Sequence, residues 1–436
     1  MASLCRDAVA CLSHAVGTGL ACGQWRVASF QPMAAVPATL LIVPSTFLER
    51  IASTSAARTN YKLRAMPISR SLSRQVSDQI SGARDVLPRA QVLVGLDGFV
   101  DTILHVVKTR ESATKYSRMS AMEDFAAKIH AAAGLSANVE MVTQMVKLGG
   151  NGPIMANALG SYGTAVTYIG NLGAPNLHPV FADFAERARV ISIAEPGYTD
   201  AVEFEDGKLM FGKHESLRNV NWANLIAHVP EQRLIEIFQQ SALIALVNWT
   251  MLTQMTAIWK EIAARIAPRL TGPKRLLFID LADPAKRSRG DIAAALKQIT
   301  RFEKHFRVVL GLNLQESRQV GEVLGIKAPE ETFGTVTHHA SLLRAALRID
   351  TVVIHPTQFA AAADAAGATH VVGPFTAQPK ITTGAGDHFN AGFCIGRLLG
   401  LDLAASLQIG VATSGYYVRN ARSPGLEDLR KFLKTL

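Results

Sequence analysis

Cysteine is scarce in this chain of 436 residues: there are four, and Cys5, Cys11 and Cys22 all fall near its start. Only Cys394 belongs to the part that reads as folded. That excludes a disulfide framework, and no CxxC or Cys/His spacing marks a zinc site. Such usage fits a reducing compartment, most simply the cytoplasm. Charged residues (18%) and aromatics (7%) are also few, against 48% apolar residues. This balance excludes a disordered chain and fits a well-filled core. No apolar run reads as a membrane span: "AAVPATLLIVPSTFL" is short and broken by prolines, and the stretch from Met1 to Gly23 is interrupted by polar residues. Nor does a G-x-G-x-x-G with a following acid succeed the first strand, which argues against a dinucleotide-dependent oxidoreductase.

Acids are fewer than bases, giving a net charge of +10. Residues 1–85 hold nine Lys/Arg against four Asp/Glu, about half of that excess. The basic residues do not cluster with aromatics, so no nucleic-acid partner is expected. The leader is rich in Arg, Ser and Ala and poor in acids, the composition of an organellar transit peptide. Alternatively, translation starts at Met66 and the preceding residues are an over-extended gene start. Either way, residues 1–85 are expected to stand apart from the fold, with a single domain over 86–436.

From "AQVLVGLDGFVDTILHVV" (90–107) the pattern changes. The run 91–96 reads as a buried strand, followed by a turn bearing Asp97 and Asp101. A helix is expected over 120–134, stopping at Gly134. "GGNGPIMANALGSYG" (149–163) reads as a glycine turn opening into a small-residue helix, with a strand over 165–173. In "DAVEFEDGKLMFG" (200–212), Val202 and Phe204 alternate with acids before Asp206-Gly207, a β-hairpin signal. Strands are then expected at 241–249, 275–284, 307–313 and 350–355. Helices alternate with them at 255–267, 291–302, 315–324 and 337–348, and two more close the chain at 402–417 and 425–435. This alternation predicts a mostly parallel sheet between two helical layers, a three-layer α/β/α sandwich.

The most informative segment is "KITTGAGDHFNAGF" (380–393). Gly384, Ala385 and Gly386 precede Asp387 and a helix with Phe389, Phe393 and Leu398 on its buried side. Unpaired amides at a helix start, left bare by small residues, accept a phosphate. A carboxylate beside them is placed to take a proton from an acceptor hydroxyl. A plainer reading makes this a tight turn with Asp387 as its helix cap. His388 is read either as a proton relay or as a solvated side chain at the helix start. His338 and His339 have no second ligand cluster, so no metal is expected there.

The chain from about 90 to 435 resembles the ribokinase/PfkB family of carbohydrate and nucleoside kinases. "ITTGAGDHF" is similar to the family's late signature, "KLGGNGPIMANALGSYG" to its early one, and "GLNLQES" to its N-x-x-E motif. The resemblance implies a ribokinase-like sandwich with a small β lid, for which the hairpin at 200–212 is the candidate. It implies ATP as phosphate donor and Mg²⁺, with Asp387 as catalytic base and Gly384, Ala385 and Gly386 as the anion hole. Thr383, Gly384, Gly386 and Asn313 would bind nucleotide, and Asn313 and Glu316 would lie at the metal. Asp101, with Asp97 as a stand-in, and the pair Gly149–Gly150 would hold the acceptor, a sugar or a nucleoside. Asn151 and Asn157 carry amides suited to acceptor hydroxyls or to helix packing. A hairpin lid can pair between subunits, which makes a homodimer compatible with the pattern.

Three positions depart from the family. Ile381 replaces an Asp that helps form a monovalent-cation site, so activation by such an ion is not expected. Ile154 stands where an Asn is usual, and His355–Thr357 ("HPT") replaces T-x-G. The early motif also resembles that of ADP-dependent sugar kinases, leaving ADP as an alternative donor. A non-catalytic sugar- or nucleotide-binding regulator is the rival from another class.

Overall fold

The computed structural model describes residues 68–436. The leader up to residue 67, with its transit-peptide character, the start at Met66 and three of the cysteines, lies outside the described residues. Folded structure begins earlier than the expected boundary at 86. Arg70–Gln79 form a helix capped by Ser69, whose Val76 is buried, followed by buried Ile80. It packs on the helices Leu403–Asn420 and Leu426–Thr435, where Gln408 Nε2 donates to Ser73 Oγ at 3.2 Å. The polar and charged residues of its outer face hid an amphipathic helix inside a stretch dominated by leader composition.

Fourteen strands follow: β1 (Gln91–Leu96), β2 (Phe99–Arg110), β3 (Tyr116–Arg118), β4 (Met141–Gly149), β5 (Ala165–Gly170), β6 (Ala188–Ser192) and β7 (Gly197–Glu203). Then come β8 (Lys208–Lys213), β9 (Leu243–Leu246), β10 (Arg275–Asp280), β11 (Phe306–Leu312), β12 (Thr351–Ile354), β13 (Phe359–Asp364) and β14 (Gly367–Val372). Nine of them form one sheet in the order β14-β13-β12-β11-β10-β9-β1-β5-β6. From β12 to β6 all neighbours are parallel, and β13 and β14 add an antiparallel edge.

The central strands read as unbroken apolar runs because both faces are covered. In β1, Val92 and Val94 face one helical layer while Leu93 and Leu96 face the other. One layer includes the helices Asn151–Ser161, Ala385–Leu398 and Leu403–Asn420; the other includes Arg289–Phe302 and Phe333–Leu347. This is the expected sandwich. The alanine-rich hairpin of β13 and β14 was not foreseen, because "FAAAAD" carries neither β-branched residues nor alternation.

The expected hairpin exists as β7 and β8, closed where Phe204 N–H donates to Gly207 C=O at 2.8 Å. It belongs to a larger five-stranded sheet with β2, β3 and β4. This lid has its own small core of Leu104, Val106, Met119, Phe125, Val202 and Phe204. Asp101 therefore sits in a strand rather than in a turn after β1: it lies in β2, in register with Lys147 of β4 and Thr199 of β7. The residue at the end of β1 is Asp97.

Candidate active site

Parallel strands in an α/β sheet end at a crevice, and here their carboxyl ends gather acids and glycines. Asp97 follows β1, Asp280 ends β10, and Asn313 follows β11. Across from them the helix Ala385–Leu398 begins, with Gly384 as its N-cap at φ 89°. That left-handed conformation favours glycine. A Cβ at Gly384 would also press on Ile154 and on the Tyr417 hydroxyl, each at 3.2 Å.

The amides of the signature loop are not equivalent. Ala385 N–H already donates to Thr382 C=O at 3.1 Å. The amides of Gly384 and Gly386 have no protein acceptor among the described residues. The three-amide anion hole expected from sequence is thus reduced to two open donors near the helix start.

Asp387 stands beside them, 7% exposed, and accepts a hydrogen bond from Asn151 Nδ2 at 2.8 Å. Burial pushes its pKa up to about 8; the negative charges of Asp97 and Glu316 add to the rise, and Asn151 opposes it. Asn151, for which the sequence left an acceptor hydroxyl or helix packing open, is engaged with the carboxylate. Asn157 is engaged elsewhere, donating to Ser423 Oγ at 3.3 Å.

His388 does not meet solvent. It is 2% exposed, and its ring stacks on Tyr417 at 3.6 Å between centroids. Its Nδ1 lies 2.7 Å from Gly384 C=O and its Nε2 2.9 Å from Ser423 Oγ. A carbonyl only accepts, so Nδ1 carries the hydrogen and Nε2 accepts from the serine. Burial pulls its pKa down to about 4, which keeps that neutral form. The chain Asn157–Ser423–His388 thus holds one carbonyl of the loop. Tyr417 O–H holds the next, Thr383 C=O, at 2.9 Å.

The glycine pair of the early motif exists to admit carboxylates. A Cβ on Gly149 would lie 2.5 Å from the Asp101 carboxyl group, and one on Gly150 2.8 Å from Asp97 Oδ2. Asp97 is fully buried. It accepts from Gly152 N–H at 2.8 Å and from Asn248 Nδ2 at 2.7 Å, which ties the start of the helix Asn151–Ser161 to β1. Its carboxyl is committed to architecture, unlike that of Asp101. Burial raises the Asp101 pKa, and Lys147, Thr199 and Lys208 oppose the rise.

Asn313 and Glu316 form a reciprocal helix cap, with Glu316 N–H donating to Asn313 Oδ1 at 2.9 Å and Asn313 N–H to Glu316 Oε2 at 2.8 Å. Glu316 Oε1 also accepts from Asp283 N–H at 3.0 Å. Asp280, which the sequence reading missed, accepts from Asn390 Nδ2 and Ala282 N–H, each at 2.8 Å. Burial raises the pKa of Asp280 well above the usual carboxylate range, and the charges of Glu316 and Asp387 reinforce it. An acid closing an apolar strand, as in "LLFID", was the available signal. Among the described residues no three His, Cys, Asp or Glu side chains converge into a metal cage. Carboxylates spread in this way suit Mg²⁺, which keeps waters and is bound through one or two acids and phosphates.

A cavity of about 580 Å³ opens beside Gly386, lined by Asn313, His355, Thr357, Phe375, Gly415 and Val418 among others. The "HPT" segment therefore lies at this cavity. His355 is packed against Phe389 at 4.7 Å, and burial pulls its pKa down to about 4.

A sequence model of the prokaryotic ketohexokinase family matches residues 72–436. A curated ketohexokinase of Haloferax volcanii is 31% identical over 355 residues, which cover 80% of this chain and 93% of that protein. Arabidopsis thaliana ribokinase, solved with ribose and ATP, superposes at a TM-score of 0.55 with 16% identity, covering 79% of this chain and 99% of its own. Escherichia coli phosphofructokinase-2 gives 0.56 with 15% identity, covering 80% and 99%. The two structures establish the ribokinase-like fold. No helix among the described residues is long and apolar enough to cross a membrane. With a family match running from Leu72, within the helix Arg70–Gln79, to the last residue, the chain belongs to the prokaryotic ketohexokinases, carbohydrate kinases of the ribokinase/PfkB group.

Proposed function

We propose that this protein transfers the γ-phosphate of ATP to a hydroxyl of a ketohexose, with Asp387 as the base. One observation carries the reading: a buried, proton-avid carboxylate stands at a helix start beside the open amide of Gly386, next to a cavity of nucleotide size. The named activity of the Haloferax volcanii relative supports the ketohexose, and the ATP in the plant ribokinase supports the donor.

In this reading Asp387 takes the hydroxyl proton as the new O–P bond forms, and Asn151 keeps the carboxylate turned towards the acceptor. The Gly384 and Gly386 amides receive charge developing on the transferred group. Asp101, projecting from the lid sheet, orients the sugar hydroxyls. Thr383, beside the loop, borders the phosphates, and the cavity holds the nucleoside. Asp280, Glu316 and Asn313 supply the negative charge and oxygen donors that would hold Mg²⁺ through water. Held there, the metal would supply positive charge against the donor phosphates.

The test is direct. The purified chain is incubated with D-fructose and other ketohexoses, with aldohexoses and with nucleosides, each with ATP and with ADP. Phosphorylation of a ketohexose by ATP is expected. Preference for a nucleoside acceptor, or for ADP as donor, would refute the assignment, as would absence of turnover on every acceptor.

A further inference from the structure

The lid brings a positive charge to the signature loop. Lys208 opens β8 directly after the Asp206-Gly207 turn, in register with Glu203. Its Nζ donates to Thr383 Oγ1 at 2.6 Å, joining positions 175 residues apart. The same ammonium is close enough to Asp101 to favour that carboxylate's charged form. It therefore stands between the acceptor side of the cleft and the residue immediately before Gly384.

Two neighbouring charges of the hairpin are paired. Lys213 pairs with Asp200 at 2.9 Å, and Glu205 with Arg118 at 3.3 Å. Lys208 enters no ion pair among the described residues, and its one side-chain hydrogen bond is to the neutral threonine. Lys147, the other lysine that stabilises Asp101, lies opposite it in β4 and makes no side-chain bond to the loop. Meanwhile, among the described residues, the cleft holds five buried acids, Asp97, Asp101, Asp280, Glu316 and Asp387, and no buried lysine or arginine. A phosphoryl group passing through adds negative charge that two open amides do not balance. A mobile ammonium is suited to follow such a group as a point charge.

We infer that Lys208 is a catalytic residue delivered by the lid, its ammonium contacting the phosphoryl group during transfer. The inference rests on the kinase reading above. The acceptor oxygen forms the new bond to phosphorus as the bridging P–O bond to the departing nucleotide breaks. The hydroxyl proton goes to Asp387, and Lys208 keeps its own. Opening of the lid would carry the ammonium away from Thr383, so the cleft reaches full catalytic strength only when closed.

The experiment compares the full-length wild type with Lys208→Met and Lys208→Arg, measuring kcat and KM for ketohexose and ATP. The side chain is exposed, so Tm should be unchanged in both variants. Removing one preorganised charge-stabilising donor typically costs about 10²–10³-fold in kcat. Lys208→Met is therefore expected to lose about 100-fold in kcat with the acceptor KM within about threefold of wild type, and Lys208→Arg to recover part of the loss. Wild-type kcat in Lys208→Met, or a loss expressed only as a raised acceptor KM, overturns the inference and leaves the lysine a latch or a sugar contact. Wild-type turnover in the same assay separates that failure from failure of the kinase reading; a wild type inactive on all sugars overturns both.

Discussion

To act as base, Asp387 must lose its proton, and its surroundings resist this until about pH 8. At pH 7 roughly one molecule in ten of the free enzyme then carries the ionised form. Since kcat/KM reports the free enzyme, it should climb about tenfold from pH 7 to a plateau above about pH 9. Asn151 is the one side chain bonded to the carboxylate, at 2.8 Å. A hydrogen bond to a charged group contributes about 1.5–3 kcal/mol, equivalent to about one to two pKa units. Asn151→Leu should therefore move the rising limb to higher pH by at least about one unit. At pH 7 the variant loses at least about tenfold beyond wild type, and much of that loss returns above pH 9. Initial rates of ADP formation with ketohexose and MgATP both well below their KM values measure the profile. In the kcat profile the limb should lie lower, because bound cations favour the carboxylate. A wild-type profile flat from pH 6 to 9 would refute the reasoning. So would an Asn151→Leu variant that loses the same factor at every pH.

Asp387→Asn should lower turnover by about 10²–10⁴-fold while ATP binding, followed by calorimetry, stays near wild type. The same variant carries a stability signature. Because the folded pKa exceeds the unfolded 3.8, the native wild type binds the extra proton, and its stability falls as pH rises from about 4 to about 8. The asparagine does not titrate, so its denaturation midpoint should gain on wild type over that window and not below it. His388→Leu should lower kcat and raise the KM for ATP about tenfold or more by freeing the Gly384 carbonyl, while His388→Asn, which keeps a donor there, recovers part of the loss. The folded pKa of His388 is lowered, so its contribution to stability is present above about 6.5 and lost as pH falls towards about 4. A wild-type unfolding curve compared with that of His388→Leu measures this. Glu316→Gln preserves a cap but removes a charge, and should raise the Mg²⁺ concentration for half-maximal rate several-fold with little change in Tm; an unchanged Mg²⁺ requirement would count against Glu316.

The strands of the main sheet were legible because burial on both faces imposes continuous apolar runs, and "VLVGL", "LIAL" and "VVLGL" have no competing reading. The signature loop was legible for a different reason: bare backbone before an acid is uncommon without a steric cause, and here Gly384 has one in its φ and in Tyr417. Partnerships were not legible. Nothing local says that Asn151 faces Asp387 across 236 positions, or that Asn157 turns to Ser423 across 266. The same holds for Lys208 and Thr383, whose meeting depends on how one sheet folds over another. Asp101 was assigned to a turn because two aspartates and a glycine outweighed the alternation of β2, whose outer strands lie far along the chain. His388 looked solvated because helix starts usually are; the stacking Tyr417 comes from another helix.

The helix Arg70–Gln79 has a bearing on how this enzyme can be trimmed. It lies along the back of Leu403–Asn420, and that helix carries Tyr417 to the Thr383 carbonyl of the signature loop. A chain shortened to begin at 86, as its composition invites, would uncover a greasy strip where Val76 and Ile80 had been seated. The damage would surface at the opposite end of the long helix, as a slackened grip on Thr383 and poorer handling of nucleotide.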